Sequence, residues 1–136
     1  MKNTLIDAIL SIKPIYAEAI INGTKTVEFR KKVFKKDVER IFIYSSSPTK
    51  MIIGYFTFKN IVEDTPKNLW KQFHKIGGIN EQDFFKYYKE AEKGFCMIID
   101  KVVKLENEID PIDFIENFKA PQSYIYLENK KIRQLT

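Results

Sequence analysis

One cysteine and one histidine in 136 residues exclude several chemistries at the outset. A lone thiol, Cys96, forms no internal disulfide and suits a reducing, cytoplasmic setting. His74 and Cys96 together cannot supply zinc-ligand spacing, so neither a metal nor another cofactor is expected. Five Gly and five Pro exclude a low-complexity chain or a linker. No apolar run is long enough to span a bilayer, so no membrane partner is expected. The start Met1-Lys2-Asn3-Thr4 lacks the apolar centre and small-residue cleavage site of a signal peptide. There is no phosphate-cradling Gly-rich loop, no dinucleotide fingerprint and no Ser-His-Asp set.

What is present is a core and a basic patch. A hydrophobic content of 44% can fill one domain over residues 1–136, with its core at about 8–127 and a frayed tail at 128–136. The net charge of +5 is uneven. Residues 24–40 hold seven basic side chains (Lys25, Arg30, Lys31, Lys32, Lys35, Lys36, Arg40) against Glu28, Asp37 and Glu39, a surplus of +4. Such a patch attracts polyanions, RNA or DNA first. The alternative is a solvated loop whose lysines only aid solubility.

Patterning predicts a strand from Ala8 to Lys13, then a helix with Pro14 at its first position, an apolar stripe of Ile15, Ala19 and Ile20, and a left-handed stop at Gly23. A strand over Lys25 to Lys31 follows. Arg40 to Tyr44 is apolar on both faces and reads as a central strand. Ser45 to Pro48 turns into a long strand from Met51 to about Glu63. Ile52, Phe56 and Phe58 are placed on one face of it, Tyr55, Thr57 and Lys59 on the other, with a bend or bulge at Gly54. Thr65 caps a helix carrying Leu69, Trp70 and Phe73, which Gly77-Gly78 end. Asn80 caps a second helix whose Phe84, Tyr87, Tyr88 and Ala91 face the core and which Gly94 stops. The rings of Phe84-Phe85 and Tyr87-Tyr88 read mostly as core, with a place in the cleft wall left open for Tyr88 or Phe85. Strands over Phe95 to Leu105 and Ser123 to Leu127, with a short helix or turn from Pro111, complete an α+β chain. The architecture expected is a small mixed or antiparallel β-barrel of about five to six strands, with helices in the connections.

The chemistry is densest in Gly23-Thr24-Lys25-Thr26-Val27-Glu28-Phe29-Arg30. Strict alternation puts Thr26, Glu28 and Arg30 on one face and Val27 and Phe29 on the other, with Lys25 at the entrance. This Gly-x-Lys-Thr-x-Glu-x-Arg run resembles the ASCH domain family of the PUA-like superfamily. So do Ser11-Ile12-Lys13-Pro14, Tyr44-Ser45-Ser46-Ser47-Pro48 with Ile53-Gly54-Tyr55-Phe56, Asp64 to Trp70, and Ala120-Pro121-Gln122-Ser123-Tyr124. The resemblance implies a PUA-like barrel with a cleft beside the first helix. It also implies RNA or a modified nucleoside or nucleotide as partner, in a binding or regulatory role, with a protein partner as a further possibility. Oligomeric state is not legible. Some ASCH proteins are enzymes on RNA or nucleosides, among them an amidohydrolase that removes acetyl from N4-acetylcytidine. That enzyme's lysine falls on Lys25, but Glu28 stands where it has threonine. A carboxylate in place of a hydroxyl changes the chemistry, so this activity does not transfer whole.

The candidate binding set is therefore Lys13, Lys25, Thr26, Glu28, Arg30, Lys31, Lys32, Tyr44, Ser45, Ser46, Gln122, Ser123 and Tyr124. Lys25 reads as a base if burial lowers its pKa, as a phosphate contact if it stays charged, or as a plain solvated lysine. Glu28 reads as a general base or as an acceptor for a base's exocyclic amine. Arg30 clamps phosphate or simply pairs with Glu28. Tyr44 stacks on a base or sits on a rim. The lysines of residues 31–36 engage phosphates. If the protein is a metal-independent hydrolase of RNA or of an acylated nucleoside, Lys25 and Glu28 are its catalytic pair.

Overall fold

The computed structural model describes residues 6–113 and 115–127. The expected tail at 128–136 lies outside the described residues. Strands β1 (Ile6–Ile12), β2 (Val27–Arg30), β3 (Val38–Ser45), β4 (Met51–Asp64), β5 (Gly94–Ile109) and β6 (Tyr124–Leu127) form one sheet in the order β2-β5-β4-β3-β1-β6. Among the described residues only β1 and β3 run parallel; the other ladders are antiparallel. Helix α1 (Pro14–Ile21) joins β1 to β2, and α2 (Pro66–Phe73) and α3 (Glu81–Tyr87) lie between β4 and β5.

Among the described residues the expected barrel does not close by backbone hydrogen bonds. β2 and β6 are the two ends of the strand order, yet side chains cross between them. Arg30 of β2 donates to the carbonyl and hydroxyl of Ser123, just before β6, at 3.4 and 3.2 Å. Tyr124 and Tyr126 of β6 bond to the backbone of the loop that follows β2. The sheet curls far enough to bring its edges together, and side chains bridge the seam.

β3 is apolar on both faces because each face meets a separate core. Ile41 and Ile43 pack with Leu10, Phe56, Met97 and the α1 residues Ala17 and Ile20. Phe42 and Tyr44 pack with Ile9, Ile52, Leu105 and Leu127. A third cluster seats Val27, Phe29 and Cys96 under Leu69 of α2 and Phe84 and Tyr88.

Several local expectations hold and several shift. Thr65 Oγ1 accepts from the Asn68 amide and Asn80 Oδ1 from that of Asp83, so both helices begin where their caps predict. Gly23 takes the left-handed conformation at φ +86. In α1, however, Ala17 and Ile20 are buried while Ile15 is 72% exposed. Ile15 lies too far round the helix from Ala17 and Ile20 to share their face. α3 ends at Tyr87, and Gly94 instead opens β5. There the absent side chain makes room for the Tyr88 ring, which a Cβ would approach to 2.4 Å.

β4 also departs from strict alternation. Register shifts beside Ile52 and Gly54 send Ile52 into the cluster that Tyr55 packs against, away from Phe56 and Phe58. A bulge flips every side chain beyond it. Gly54 sits at this bend, where a Cβ would come within 2.5 Å of the Val103 carbonyl and 2.7 Å of Ile21 Cδ1. Gly54→Ala is expected to destabilise the protein by about 1–3 kcal/mol, read as a lower urea midpoint, because backbone cannot yield as a side chain can. A midpoint equal to wild type would show that the bend relaxes freely.

Candidate functional site

The motif strand places its charges in the interior. Lys25, Glu28 and Arg30 are 3%, 5% and 8% exposed. Regular β2 pairing begins only at Val27, so alternation does not reach back to Thr26. Thr26 is exposed; its amide donates to the Ile76 carbonyl and its carbonyl accepts from the Ile99 amide. Lys25 takes the inward position instead.

The three charged groups form a row. Arg30 Nη1 donates to Glu28 Oε2 at 3.1 Å, and Lys25 Nζ lies 3.8 Å from Glu28 Oε1. Lys25 Nζ also donates to the Gly77 carbonyl and sits 5.1 Å from the Phe29 ring centroid and 5.7 Å from that of Tyr16. Arg30 Nε is buried with no hydrogen-bond partner among the described residues. Burial pulls the Lys25 pKa below its ordinary value, more strongly than the Glu28 charge raises it. Cys96, behind the row, is a free buried thiol pushed up to about 12 by desolvation.

Gly77 and Gly78 do more than end a helix. A Cβ on Gly78, where φ is +62, would stand 2.8 Å from Lys25 Cβ and 2.9 Å from its Cγ; one on Gly77 would press to 2.7 Å on the Phe29 ring. The pair lets the turn lie directly on the Lys25 stem and offer it a carbonyl. Consecutive glycines after a helix were the visible signal, and a close approach of backbone to side chain is what they serve.

Next to this row opens a cleft of about 640 Å³, within the range of small-molecule sites. Lys13, Lys25, Glu28, Arg30, Lys31, Ser46 and Gln122 of the expected set line it. Thr26 and Lys32 do not; Lys32 is exposed elsewhere. Tyr44 is buried against Phe118, ring centroids 5.2 Å apart, and is unavailable for stacking on a base. Ser45 is buried beside it, its hydroxyl unpartnered among the described residues. Both belong to a strand enclosed on its two faces, so only the turn residue Ser46 emerges. Ser123 backs Arg30 without lining the cleft, and Tyr124 reaches the loop after β2.

The same cleft recruits residues outside the candidate set: Ser11, from the stretch Ser11-Ile12-Lys13-Pro14, and Tyr16, Asp83, Lys86 and Tyr87, which no motif reveals. Of the α3 aromatics, Phe84 and Tyr87 line the cleft, and Tyr88 and Phe85 do not. Tyr88 is buried and its hydroxyl donates to the Arg30 carbonyl at 3.0 Å, while Phe85 faces out. Helical periodicity ranks these rings by hydrophobicity alone, and the packing of α3 on β2 decides which of them turn to the opening. Among the described residues no group of three or more His, Cys, Asp or Glu side chains could hold a metal ion. No helix there is long and apolar enough to cross a membrane.

A curled mixed sheet with a polar cleft beside its first helix is the architecture the motifs imply, and the chain belongs to the ASCH domain family, whose model matches residues 10–108. It is similar to a Zymomonas mobilis protein named ASCH domain-containing ribonuclease, with 29% identity covering 95% of this chain and 89% of that one. The crystal structure of ASCH from Zymomonas mobilis matches at a TM-score of 0.86 and 29% identity, covering 95% of this chain and 92% of that chain. A mutant of the same protein matches at a TM-score of 0.87 and 28% identity, with 95% of each chain covered.

Proposed function

We propose that this protein is an RNA-binding ASCH module of one domain that holds a nucleotide of the strand in the cleft beside Lys25, Glu28 and Arg30. The observation that carries the reading is a buried row of two cations and one carboxylate whose accessible side is a cleft of nucleotide size. A structural ion-pair network alone accounts for Glu28 and Arg30 touching. It does not account for the open volume beside them or for an Arg30 Nε without an acceptor among the described residues. Lys25 and Arg30 present donors, Glu28 presents acceptors, and Tyr16 and Tyr87 flank them. Unstacked RNA bases are read by such edge hydrogen bonds and aromatic faces. The buried thiol Cys96 suits a cytoplasmic setting.

Anisotropy titration of a labelled single-stranded RNA across a salt series tests this. Affinity is expected to fall with salt, at a log–log slope of about −0.7 for each phosphate engaged. Absent or salt-insensitive binding overturns the reading.

The name of the Zymomonas relative favours a second reading, RNA cleavage. Glu28 would take the proton of a 2′-hydroxyl, whose oxygen attacks the adjacent phosphorus. As the bond to the 5′-oxygen breaks, Lys25 would give that oxygen a proton. The expected product is a 2′,3′-cyclic phosphate, formed in the presence of chelator and lost in Lys25→Met and Glu28→Gln. Equal trace rates in all three proteins exclude the Lys25–Glu28 pair as the catalyst.

A further inference from the structure

The lysine-rich loop between β2 and β3 is exposed at Lys31, Lys32, Lys35 and Lys36, yet tyrosines of two distant elements hold its backbone. The Lys31 amide donates to the Tyr87 hydroxyl at 3.1 Å. The Tyr124 hydroxyl donates to the Val33 carbonyl at 3.4 Å. The Tyr126 hydroxyl accepts from two successive amides, Lys35 at 2.8 Å and Lys36 at 3.2 Å. Phe34 anchors the loop from below, edge-on to Tyr124 with centroids 4.8 Å apart.

The same rings meet the charges. Lys31 Nζ lies 4.9 Å from the Tyr87 centroid and Lys36 Nζ lies 5.0 Å from that of Tyr126. Lysines that serve only solubility need no such anchoring. A loop ordered on folding loses little further entropy when it binds, which is the advantage of a preformed surface. Residues 31–37 carry four cations against the single anion Asp37. The row begins at Lys31, which lines the cleft, and leads away across the seam between β2 and β6.

We propose that this tyrosine-pinned loop is a backbone track for single-stranded RNA: one nucleotide occupies the cleft, and the adjoining phosphates run along Lys31 to Lys36. The proposal rests on the reading of the cleft as a nucleotide site and names its ligand class, a strand and not a free nucleoside. The five steps from Lys31 to Lys36 reach at most about 17 Å, which spaces roughly two to four phosphates of a single strand. Aromatic rings alternating with cations favour a nucleic acid, whose bases can stack, over an acidic peptide, which has no use for them.

The test compares a mononucleotide with mixed-sequence RNA strands of two, four and eight nucleotides, by calorimetry and anisotropy. Affinity is expected to climb at least tenfold from one to four nucleotides and then to level. Lys35→Ala/Lys36→Ala is expected to shrink that gain and to flatten the salt slope by about 1.4, two phosphates' worth. Tyr126→Phe keeps the ring and every charge but releases two amides. It is expected to weaken octamer binding severalfold at an unchanged salt slope, with the urea midpoint reporting whether folding is intact.

An octamer that binds no tighter than the mononucleotide overturns the track and leaves the cleft reading standing. Loop variants that match wild type do the same. Polyglutamate displacing the octamer at equal charge concentration would reassign the loop to acidic proteins and also overturn the proposal. If neither mononucleotide nor strand binds, the cleft reading itself fails, which separates the two failures.

Discussion

Glu28→Gln is expected to lower stability by about 3–5 kcal/mol, the usual result of removing one partner from a buried ion pair. The substituted amide would fill the same space as the carboxylate, so packing contributes little to the loss. The cost arises because Lys25 and Arg30 would stay buried, 3% and 8% exposed, with no carboxylate between them. Arg30 would keep its bonds to Ser123 and Lys25 its bond to the Gly77 carbonyl, but neither acceptor carries a charge. Urea unfolding followed by circular dichroism measures the loss, with the slope against denaturant unchanged if the unfolded state is the same. A loss under about 1 kcal/mol would mean that water already solvates the row, and the picture of a desolvated site would fall. The double variant Lys25→Met/Glu28→Gln is expected to recover part of the loss, since one of the two stranded cations is gone.

Lys25→Met should behave in the opposite way on stability while removing function. Glu28 would keep its 3.1 Å bond to Arg30, so no buried carboxylate is stranded. Replacing a buried charge by an apolar chain of similar length is often neutral or stabilising by about 1–4 kcal/mol. RNA affinity is nevertheless expected to fall about tenfold to a hundredfold, the worth of a hydrogen bond from a charged donor. The comparison has a pH signature. Folding lowers the Lys25 pKa, and the unfolded chain keeps the ordinary value of 10.5. Between those two values the unfolded chain binds more protons, so stability rises with pH across that window. The wild-type deficit against Lys25→Met is therefore full below the folded pKa and closes as pH approaches 10.5. Parallel stability curves for the two proteins over that range, together with wild-type affinity in the variant, would show an amine in water rather than one on the floor of a cleft.

Opposite stability effects from adjacent members of one row are what a site under electrostatic tension produces. Such a result would mark Lys25 as a residue that costs stability where it stands, beneath the Gly77–Gly78 turn. Selection for packing alone has no reason to keep an ammonium beneath two glycines. A donor at that depth is what the proposed RNA cleft would use.

Much of the architecture was legible in local chemistry. Thr65 and Asn80 start helices through a side-chain oxygen one turn ahead, and Gly23 ends one because only glycine adopts its φ without strain. Such signals act within four residues, and a linear reading captures them. β3 announced itself as central because both of its faces had to be apolar. The motif strand likewise placed Glu28 and Arg30 together, since every second side chain of a strand shares a face.

Position along the chain alone told which residue types were available: a charged strand, a lysine-rich loop, tyrosines near the end. Which of them meet was decided by the curl of the sheet. It carries Tyr124 and Tyr126 over some ninety positions of sequence to the loop after β2. It buries Tyr44 under Phe118 and turns Tyr87 to the cleft. Gly54 marked a bend or bulge in the sequence, but which side chains change face there depends on the register of the neighbouring strand, which alternation does not contain. Local hydrogen bonding and φ preference set the elements; long-range packing, which has no period in the sequence, set the site.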